Sequence, residues 1–452
     1  MPPVGSRDTI AAVATAPGAG GVGIVRISGP QARAIAEAIC ARTLTPRHAQ
    51  YARFLDADAQ LMDDGMALYF QAPASYTGED VVELQGHGSP ILLAALLRRC
   101  LQLGARTARP GEFTERAYLE GKLDLAQAEA VADLIAAGSQ AAARAARRSL
   151  EGEFSRQVDA LVEQLTQLRM YVEAALDFPD EQIDFLAAPV LAQRLRDTRD
   201  ALEALLAQAR QGQRLMDGLH VLILGAPNVG KSSLLNALAA QDRAIVSDIA
   251  GTTRDLLRET VQLDGVVVTL VDSAGLREAP DAIEAEGIRR AHAELARADL
   301  VLLVGDAQTP PLLAPELRSR LPEGARVLCL HNKCDQQAAP AGPMARTEAS
   351  GEAEHWRISA RTGAGLDGLR TRLRELAGAG GEGSFSARER HVQALRAAQA
   401  ALAHAAQHIA RGAAELAAEE LRQAQLSLSG ITGPLEADAL LGRIFAGFCI
   451  GK

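Results

Sequence analysis

The octamer GAPNVGKS occupies residues 225–232 and directly follows a short apolar run, His220–Leu224, that is typical of a buried strand. It matches the GxxxxGKS phosphate-binding loop, in which glycines let backbone N–H groups surround the phosphates of a nucleotide. Lys231 can reach the outer phosphates, and the Ser232 hydroxyl can ligate magnesium at the N-terminus of the following helix. The octamer in this context therefore predicts a nucleoside triphosphate site.

A second motif, NKCD at residues 332–335, indicates which base the site reads. It follows Arg326–Leu330, a further apolar run that predicts a buried strand. Guanine presents two adjacent donors, N1–H and the exocyclic amine, and the Asp335 carboxylate can accept both. The Watson–Crick edge of adenine presents only one donor and one acceptor. The sequence therefore predicts GTP rather than ATP.

Two shorter motifs complete the pattern of a GTP-binding domain. Residues 272–275 form a DxxG sequence after the apolar run Val266–Val271, which suits an Asp acting through magnesium and a Gly N–H facing the γ-phosphate. Ser359-Ala360 follows Trp356–Ile358 and is predicted to line the base pocket.

The residue after DxxG departs from Ras-like enzymes. Leu276 stands where those proteins carry the glutamine that orients the attacking water, and an apolar side chain cannot do so. Either a partner supplies the missing group or another part of the chain does. In the predicted switch loop, Thr253 could cover the magnesium. Arg254 could act as an arginine finger or could be a surface arginine paired with Asp255.

Together these residues resemble a known family. Leu276, the switch sequence GTTRD at 251–255 and Asn228 in the phosphate loop are similar to the potassium-dependent GTPases with a substituted glutamine. The similarity is strongest to the family of tRNA-uridine-modifying GTPases called MnmE or TrmE, within the TrmE-Era-like P-loop GTPases. Outside the GTPase segment it rests on GGVGIVRISG (20–29), YTGED (76–80), ELQGHG (83–88), RPGEF (109–113), KLDLAQAEA (122–130) and FCIGK (448–452).

The resemblance implies a complete set of G-domain residues. It implies face-to-face pairing of two G domains in a homodimer, with K⁺ near the phosphates and Mg²⁺ as the second metal. Mg²⁺ is assigned to Ser232 and Thr253, and K⁺ to Asn228, Ser247, Ile249 and Thr252. Catalysis is assigned to Lys231, Thr253 and Glu284, the last at the distance from DxxG of the family's water-orienting glutamate; on its own, Glu284 would be interpreted as part of a solvated helix face. The implied GTP contacts are Asn228, Val229, Gly230, Lys231, Ser232, Ser233, Ser247, Asp248, Ile249, Ala250, Gly251, Thr252, Thr253, Asp272, Ser273, Ala274, Gly275, Asn332, Lys333, Cys334, Asp335, Ser359, Ala360 and Arg361.

The resemblance also implies a second ligand and a partner. A 5-formyltetrahydrofolate-type one-carbon folate is assigned to Arg26, Glu83, Lys122 and Lys452. The FAD-dependent protein MnmG is implied as the partner in a heterotetramer. The two would add a carboxymethylaminomethyl or aminomethyl group at C5 of the wobble uridine of certain tRNAs. On the G domain alone, a GTP-gated ribosome-assembly or RNA-binding switch without modification chemistry stays open, and detection of bound folate would separate the two.

Changes of pattern along the chain predict the fold class, α/β plus all-α. Residues 1–118 alternate short apolar runs, at 10–15, 24–27 and 81–84, with a helix near 91–103, which predicts a compact α/β domain. The resemblance implies that this domain is of the folate-binding-like type. Residues 119–216 and 379–452 have helical composition and are predicted to form one discontinuous helical domain. Residues 217–378 are predicted to form an inserted Ras-like P-loop G domain, a mostly parallel sheet with flanking helices.

Composition and charge limit the possible nucleic-acid contacts and the cellular location. The 452 residues carry a net charge of −9, which opposes a broad nucleic-acid surface, so tRNA contact must use a local patch or be shared with a partner. Arg388, Arg390, His391 and Arg396 are the nearest approach to such a patch, although an ordinary solvated helix face is the alternative. The start lacks the pattern of a signal peptide and no apolar run is long enough to span a membrane, so we expect a cytoplasmic protein without membrane contact.

Two further motifs are interpreted as structural. Residues 18–23 fit GxGxxG, but they lie between two strand-like runs with no helix after them, which predicts a hairpin turn rather than a dinucleotide site. Cys329, His331 and Cys334 interleave with a buried strand and the guanine motif, without an evident fourth metal ligand.

Overall fold

The computed structural model describes residues 8–177, 189–239, 258–263, 266–272, 298–311, 318, 321, 325–337, 340–345, 353–376, 385–433, 442, 444–446, 448 and 451. The chain divides into two compact units. The first comprises Met1–Ala132, Leu150–Thr198 and Ala397–Lys452, and the second comprises Asp133–Ser149 and Arg199–Arg396. None of the helices in these residues is both long and apolar enough to cross a membrane.

The first unit contains a six-stranded sheet. Its strands are β1 (Ile10–Val13), β2 (Gly20–Ser28), β3 (Gln50–Leu55), β4 (Leu61–Phe70), β5 (Val81–Gly88) and β6 (Arg106–Thr107), in the spatial order β3-β4-β5-β2-β1-β6. All neighbours are antiparallel except β1 and β6. The predicted apolar runs at 24–27 and 81–84 lie in β2 and β5, and the run at 10–15 begins with β1, which ends at Val13. The glycine-rich stretch lies where β1 connects to antiparallel β2, which confirms the predicted hairpin.

The described helices are α1 (Ala32–Cys40), α2 (Pro90–Gln102), α3 (Glu112–Leu119), α4 (Leu125–Ala136), α5 (Gln140–Leu150), α6 (Glu153–Asp177), α7 (Pro189–Asp217), α8 (Lys231–Ala239), α9 (Leu366–Leu376), α10 (Glu389–Ala410) and α11 (Ala414–Thr432). Helix α2 confirms the helix predicted near 91–103, and α4–α7, α10 and α11 confirm the helical regions. Helices α1 and α2 pack on one face of the first sheet, because the inward residues of β2 and β5, such as Val25, Ile27, Val82 and Leu84, are apolar and buried against Ile35, Ile39, Leu93 and Leu96.

Helices α6 and α11 form an antiparallel pair with a heptad pattern. The buried apolar residues of α6 are Phe154, Val158, Leu161, Leu165, Leu168 and Val172, and those of α11 are Ala414, Ala417, Leu421, Ala424, Leu428 and Ile431. The alternating spacing of three and four residues is the signature of coiled-coil-like packing. Polar bonds from Thr432 to Asp159 and from Gln425 to Thr166 set the antiparallel register, since the residue numbers rise on one helix as they fall on the other.

The second unit contains a seven-stranded sheet. Its strands are β7 (Leu219–Gly225), β8 (Arg258–Leu263), β9 (Val266–Asp272), β10 (Leu300–Gly305), β11 (Arg326–His331), β12 (Gly342–Pro343) and β13 (Glu354–Arg357), in the order β12-β13-β11-β10-β7-β9-β8. The five central strands are parallel and the two edge strands are antiparallel, as predicted for a mostly parallel sheet. Apart from His220 in β7, the strands β7 and β10 are apolar, because both faces of the sheet are buried there. Helices α8 and α9 pack on one face.

The second unit also contains α5 and the later part of α7. Ser149 donates to the Ser386 carbonyl oxygen at 2.9 Å, and the Ser386 N–H donates to the Ala145 carbonyl oxygen at 3.1 Å. These bonds attach α5 to the segment that precedes α10. The domain boundaries predicted from the sequence stay predictions.

A pair of helical glycines tests this packing. A Cβ on Gly212 in α7 would lie 2.0 Å from the Phe385 carbonyl oxygen, whereas a Cβ on Gly430 in α11 meets no atom within 4 Å. Alanine favours a helix over glycine by about 0.5–1 kcal/mol. We therefore expect Gly430→Ala to raise the thermal unfolding midpoint slightly and Gly212→Ala to lower it, as measured by circular dichroism. Equal shifts in the two variants would contradict the close packing at Gly212.

Candidate functional site

The phosphate-binding octamer forms the loop between β7 and α8. The loop turns sharply because Gly225, Asn228 and Gly230 have positive φ angles of 155°, 62° and 97°. Asparagine tolerates the left-handed region better than most residues, and glycine enters it without steric cost. The octamer therefore adopts the curled backbone that its sequence predicts.

Lys231 folds back over this loop. Its Nζ donates to the carbonyl oxygens of Gly225 and Ala226, both at 3.0 Å. Ser232 and Ser233 follow in the first turn of α8 and are exposed. The ammonium group and the positive end of the helix dipole thus lie at one place, which suits phosphate binding.

Asn332 connects the predicted base-reading motif to the phosphate loop. It lies directly after β11 and is only 3% exposed. Its Nδ2 donates to the Val229 carbonyl oxygen at 2.8 Å, and its Oδ1 accepts from the Ala360 N–H at 2.9 Å. A Cβ on Gly230 would lie 2.4 Å from Asn332 Nδ2, so a larger residue at Gly230 would separate the two loops.

Lys333 makes a second connection between the same loops. It has φ +62°, and its Nζ donates to the Asn228 carbonyl oxygen at 2.8 Å and to Asp306 Oδ2 at 2.7 Å. The Lys333 bond holds the pKa of the Asp306 carboxyl below its ordinary value. Asp306 was not among the predicted site residues. Its position directly after β10, beside the ends of β7 and β11, could have indicated a place in the site.

Both carboxylate oxygens of Asp335 are engaged. Oδ1 accepts from the Ser359 hydroxyl at 2.7 Å, and Oδ2 lies 3.1 Å from Arg361 Nη2. The bond from Ser359, assisted by the charge of Arg361, holds the pKa of Asp335 below its ordinary value. The residue is therefore ionised at neutral pH, as its predicted role in accepting two guanine donors requires. Cys334 is buried, and its N–H donates to the Ile358 carbonyl oxygen at 3.1 Å.

Several predicted site residues lie outside the described part of the chain. These are Ser247, Asp248, Ile249, Ala250, Gly251, Thr252, Thr253, Ser273, Ala274, Gly275, Glu284 and Lys452, together with Arg254 and Leu276. Asp272 is the last residue of β9 and pairs in register with Ile223 of β7, two residues before Gly225. The backbone thus brings the start of DxxG beside the phosphate loop.

Arg370 is a further contributor that sequence reasoning missed. This buried residue of α9 donates from Nη2 to the Ala237 carbonyl oxygen at 2.8 Å and from Nη1 to Asp367 at 3.1 Å. A cation near the C-terminus of a helix is favourable because it opposes the helix dipole. Arg370 therefore stabilises α8, the helix whose other end carries Lys231 and Ser232.

A second cluster, in the first unit, contains two of the predicted folate residues. Arg26 of β2 contacts Glu83 of β5 through Nε at 3.0 Å and Nη2 at 2.9 Å, and both side chains are about four-fifths buried. The Arg26 guanidinium also lies 5.8 Å from the centre of the Tyr76 ring and 5.6 Å from that of Phe113. The other Glu83 oxygen accepts from Gln85 at 3.3 Å. Arg26 is thus held between two aromatic rings by ion pairing and cation–π attraction.

Lys122 lies beside the loop that carries Tyr76 and Gly78. Its Cε is 3.5 Å from the position that a Cβ on Gly78 would take, two residues from Tyr76. The structure therefore brings Arg26, Glu83 and Lys122 to one region of the first unit. Lys452 directly follows Gly451, whose carbonyl oxygen accepts from Arg26 Nη1 at 3.3 Å.

A buried ion cluster supports this arrangement. Glu112, the first residue of α3, accepts from Arg106 and Arg116. Burial raises the pKa of the Glu112 carboxyl, but the bonds from Arg106 and the Arg109 N–H outweigh burial, so the pKa lies below its ordinary value. Because these bonds hold α3 in place, the next residue, Phe113, presents its ring to Arg26.

The four residues of the suggested basic patch, 388, 390, 391 and 396, differ in pairing and burial. Arg388 Nη2 is 2.7 Å from Asp133 Oδ1, and His391 is buried and accepts the Arg388 N–H at its Nδ1. Arg390 is half-buried and Arg396 is exposed. The four residues therefore do not form one continuous exposed patch, because Arg388 is paired and His391 is buried, and tRNA contact in this region stays a prediction.

Comparison with known proteins gives two family models and full-length relatives. A model described as MnmE helical domain matches residues 125–449, and one described as GTP-binding protein TrmE N-terminus matches residues 9–122. A tRNA modification GTPase MnmE of Xanthomonas campestris pv. campestris is 57% identical over 451 residues, covering 99% of each chain. Its counterpart in Chromohalobacter salexigens is 54% identical over 458 residues, covering 100% of this chain and 99% of its own.

A solved structure, the G domain of the T. maritima FeoB iron transporter, is 25% identical and covers 35% of this chain and 98% of its own, with a TM-score of 0.25. With a TM-score that low, the family assignment rests on the relatives and the family models alone.

Base recognition by Asp335 is testable by substitution. Asp335→Asn replaces a carboxylate that accepts two donors with an amide that accepts one and presents a donor of its own. Loss of charge-assisted hydrogen bonds of this kind should lower the affinity for GTP by about 100-fold. Xanthosine triphosphate, with a carbonyl in place of the guanine amine, should bind the variant better than GTP does. Titration with fluorescent nucleotides measures both, with the exposed Glu375→Gln as the matched control. Unchanged GTP affinity in Asp335→Asn would remove the base-reading role.

Proposed function

The chain belongs to the MnmE family of tRNA modification GTPases, and from this premise we propose that its GTP hydrolysis is potassium-dependent and drives modification of the wobble uridine. In this proposal, the chain acts with the FAD-dependent protein MnmG in a heterotetramer. Together they add a carboxymethylaminomethyl or aminomethyl group at C5 of the wobble uridine of certain tRNAs. The full-length similarity to proteins named tRNA modification GTPase favours this function over a ribosome-assembly switch.

The observation that carries the G-domain part is the pair of connections from the base-reading loop to the phosphate loop. Asn332 holds the Val229 carbonyl and Lys333 holds the Asn228 carbonyl. These bonds fix the position of the phosphate loop relative to Asp335. A nucleotide whose base binds Asp335 would therefore place its phosphates at the phosphate loop. Lys231 and the N-terminus of α8 would neutralise the phosphate charges during hydrolysis.

The donor atoms at this site fit the two implied metals. The Ser232 hydroxyl is exposed in the first turn of α8, and oxygen ligands of this kind suit Mg²⁺. Asn228 is exposed while Lys333 occupies its backbone carbonyl, so its side-chain amide oxygen can serve as a K⁺ ligand. Thr253 is proposed as the second Mg²⁺ ligand, and Ser247, Ile249 and Thr252 as the remaining K⁺ ligands. When bound, the two cations would supply positive charge beside the phosphates.

The hydrolytic water requires a group that Leu276 cannot provide. We assign this role to Glu284, whose carboxylate would orient and accept a proton from the attacking water. Pairing of two G domains in a homodimer would supply the closed site around it.

The Arg26 cluster fits a one-carbon folate. A folate contains an aromatic pterin and an anionic glutamate tail, and this region offers the Tyr76 ring, Arg26 and Lys122. Because the Glu83 carboxylate already accepts from Arg26 and Gln85, its free lone pairs can take only part of the pterin donors. Bound folate would supply the one-carbon unit, while Arg26, Glu83, Lys122 and Lys452 would hold and orient it.

Potassium dependence is tested by GTP turnover in potassium and in sodium buffer at two protein concentrations. We expect potassium-specific acceleration that grows with protein concentration, because the ion and the G-domain pairing act together. Asn228→Ala should abolish the acceleration but keep the slow basal rate. Equal slow rates in both salts would contradict the potassium site and point to an external activator.

The water-orienting role has its own test. Glu284→Ala should slow single-turnover hydrolysis by about 100-fold, within the range for loss of a general base, while GTP affinity changes little. Glu286→Ala, two residues further along, is the matched control. Loss of nucleotide binding in Glu284→Ala would indicate a structural role instead.

A further inference from the structure

The described residues 444–446, 448 and 451 form a segment that packs within the first unit through two buried aromatic residues. Phe445 and Phe448 lie in an apolar cluster with Leu125 and Ala128, and Tyr118 packs at its edge. The rings of Phe445 and Phe448 are 5.3 Å apart, and the Phe448 N–H donates to the Phe445 carbonyl oxygen at 3.0 Å. We call Phe445, Phe448 and Gly451 the anchor residues.

Gly111 forms the surface on which the first two anchor residues lie. It has φ +68° directly before α3, and a Cβ there would lie 2.7 Å from the Phe445 carbonyl oxygen. The same Cβ would lie 3.1 Å from the Cβ atoms of Phe445 and Phe448. Any side chain at Gly111 would therefore push the segment away.

Gly451 forms the third contact, at the end of β1. It has φ +95°, and a Cβ there would lie 2.3 Å from the Val13 carbonyl oxygen and 2.9 Å from the Ala14 Cα. Backbone atoms cannot move aside as a flexible side chain can, so only glycine fits. The close approach brings the Gly451 carbonyl oxygen to Arg26 Nη1 at 3.3 Å.

We propose that Gly111 and Gly451 are positioning residues for the one-carbon folate. Gly111 lets Phe445 and Phe448 pack in place, and Gly451 lets the backbone approach β1, so that the Gly451 carbonyl orients Arg26 and completes the binding region. The proposal rests on the folate part of the proposed function. It assigns to two glycines, far apart in sequence, a role in ligand affinity that acts through Arg26. The cation–π and ion-pair contacts of Arg26 fix three sides of its guanidinium, and the Gly451 carbonyl fixes a fourth.

The test measures equilibrium binding of 5-formyltetrahydrofolate to the full chain. We expect Gly111→Ala and Gly451→Ala each to weaken binding by at least about 10-fold, the effect of one lost orienting hydrogen bond. Gly442→Ala is the matched control because a Cβ there meets no atom within 4 Å, and it should bind within about twofold of wild type. Should Gly111→Ala reduce the yield of folded protein, Phe445→Leu loosens the same contact without a backbone clash.

A further readout separates positioning from general destabilisation. In a double-mutant cycle of Gly451→Ala with Arg26→Lys, the combined loss of folate affinity should be smaller than the product of the single losses, because both changes act on one contact.

The outcomes are distinguishable. If wild type binds no folate, the cofactor assignment fails and the positioning role fails with it. If wild type and both glycine variants bind equally, only the positioning role is overturned. Strictly multiplicative losses in the cycle would also overturn it, since they would mean that Gly451 does not act through Arg26.

Discussion

The buried side-chain amide of Asn332 connects the parts of the nucleotide-facing surface. Its two bonds tie the phosphate loop at Val229 to the turn at Ala360. Each such bond contributes about 1 kcal/mol net, but a buried amide left without partners costs about 1–3 kcal/mol, so the three loops are stable mainly as a set. Gly230 must be glycine for the same reason, because the amide occupies the space of a Cβ.

The parallel sheet supplies the geometry that this amide requires. Strands β9, β7, β10 and β11 end at the same edge, and the residues that follow them carry DxxG, the phosphate loop, Asp306 and the NKCD motif. Lys333 crosses this edge to reach both Asn228 and Asp306. Motifs about 100 residues apart in sequence thus become neighbours because strand order, and not chain order, determines proximity.

In the antiparallel sheet of the first unit, strand pairing likewise determines which residues are neighbours. Arg26 and Glu83 are opposite residues on β2 and β5, so the ion pair follows directly from strand register. Phe113 and Gly451 reach the same guanidinium from outside the sheet, one through a helix held by a buried ion cluster and the other through a close backbone approach. A largely buried cation is tolerated here because its guanidinium faces a carboxylate, two aromatic rings and a carbonyl oxygen.

By itself the sequence determined the fold class, several of the elements and the chemistry of the nucleotide motifs. Apolar runs and glycines act locally, so β7, β11, α2 and the glycine-rich hairpin could be predicted. Asp306 and Arg370 could not, since their roles depend on partners that only strand order and helix packing bring near. The pairing of Arg388 with Asp133 and the burial of His391 were likewise tertiary outcomes, because an exposed arginine and a paired one look the same in sequence. Glycine spacing gives no sign that Gly111 and Gly451 must lack a Cβ, because that requirement comes from backbone atoms more than 300 residues away along the chain.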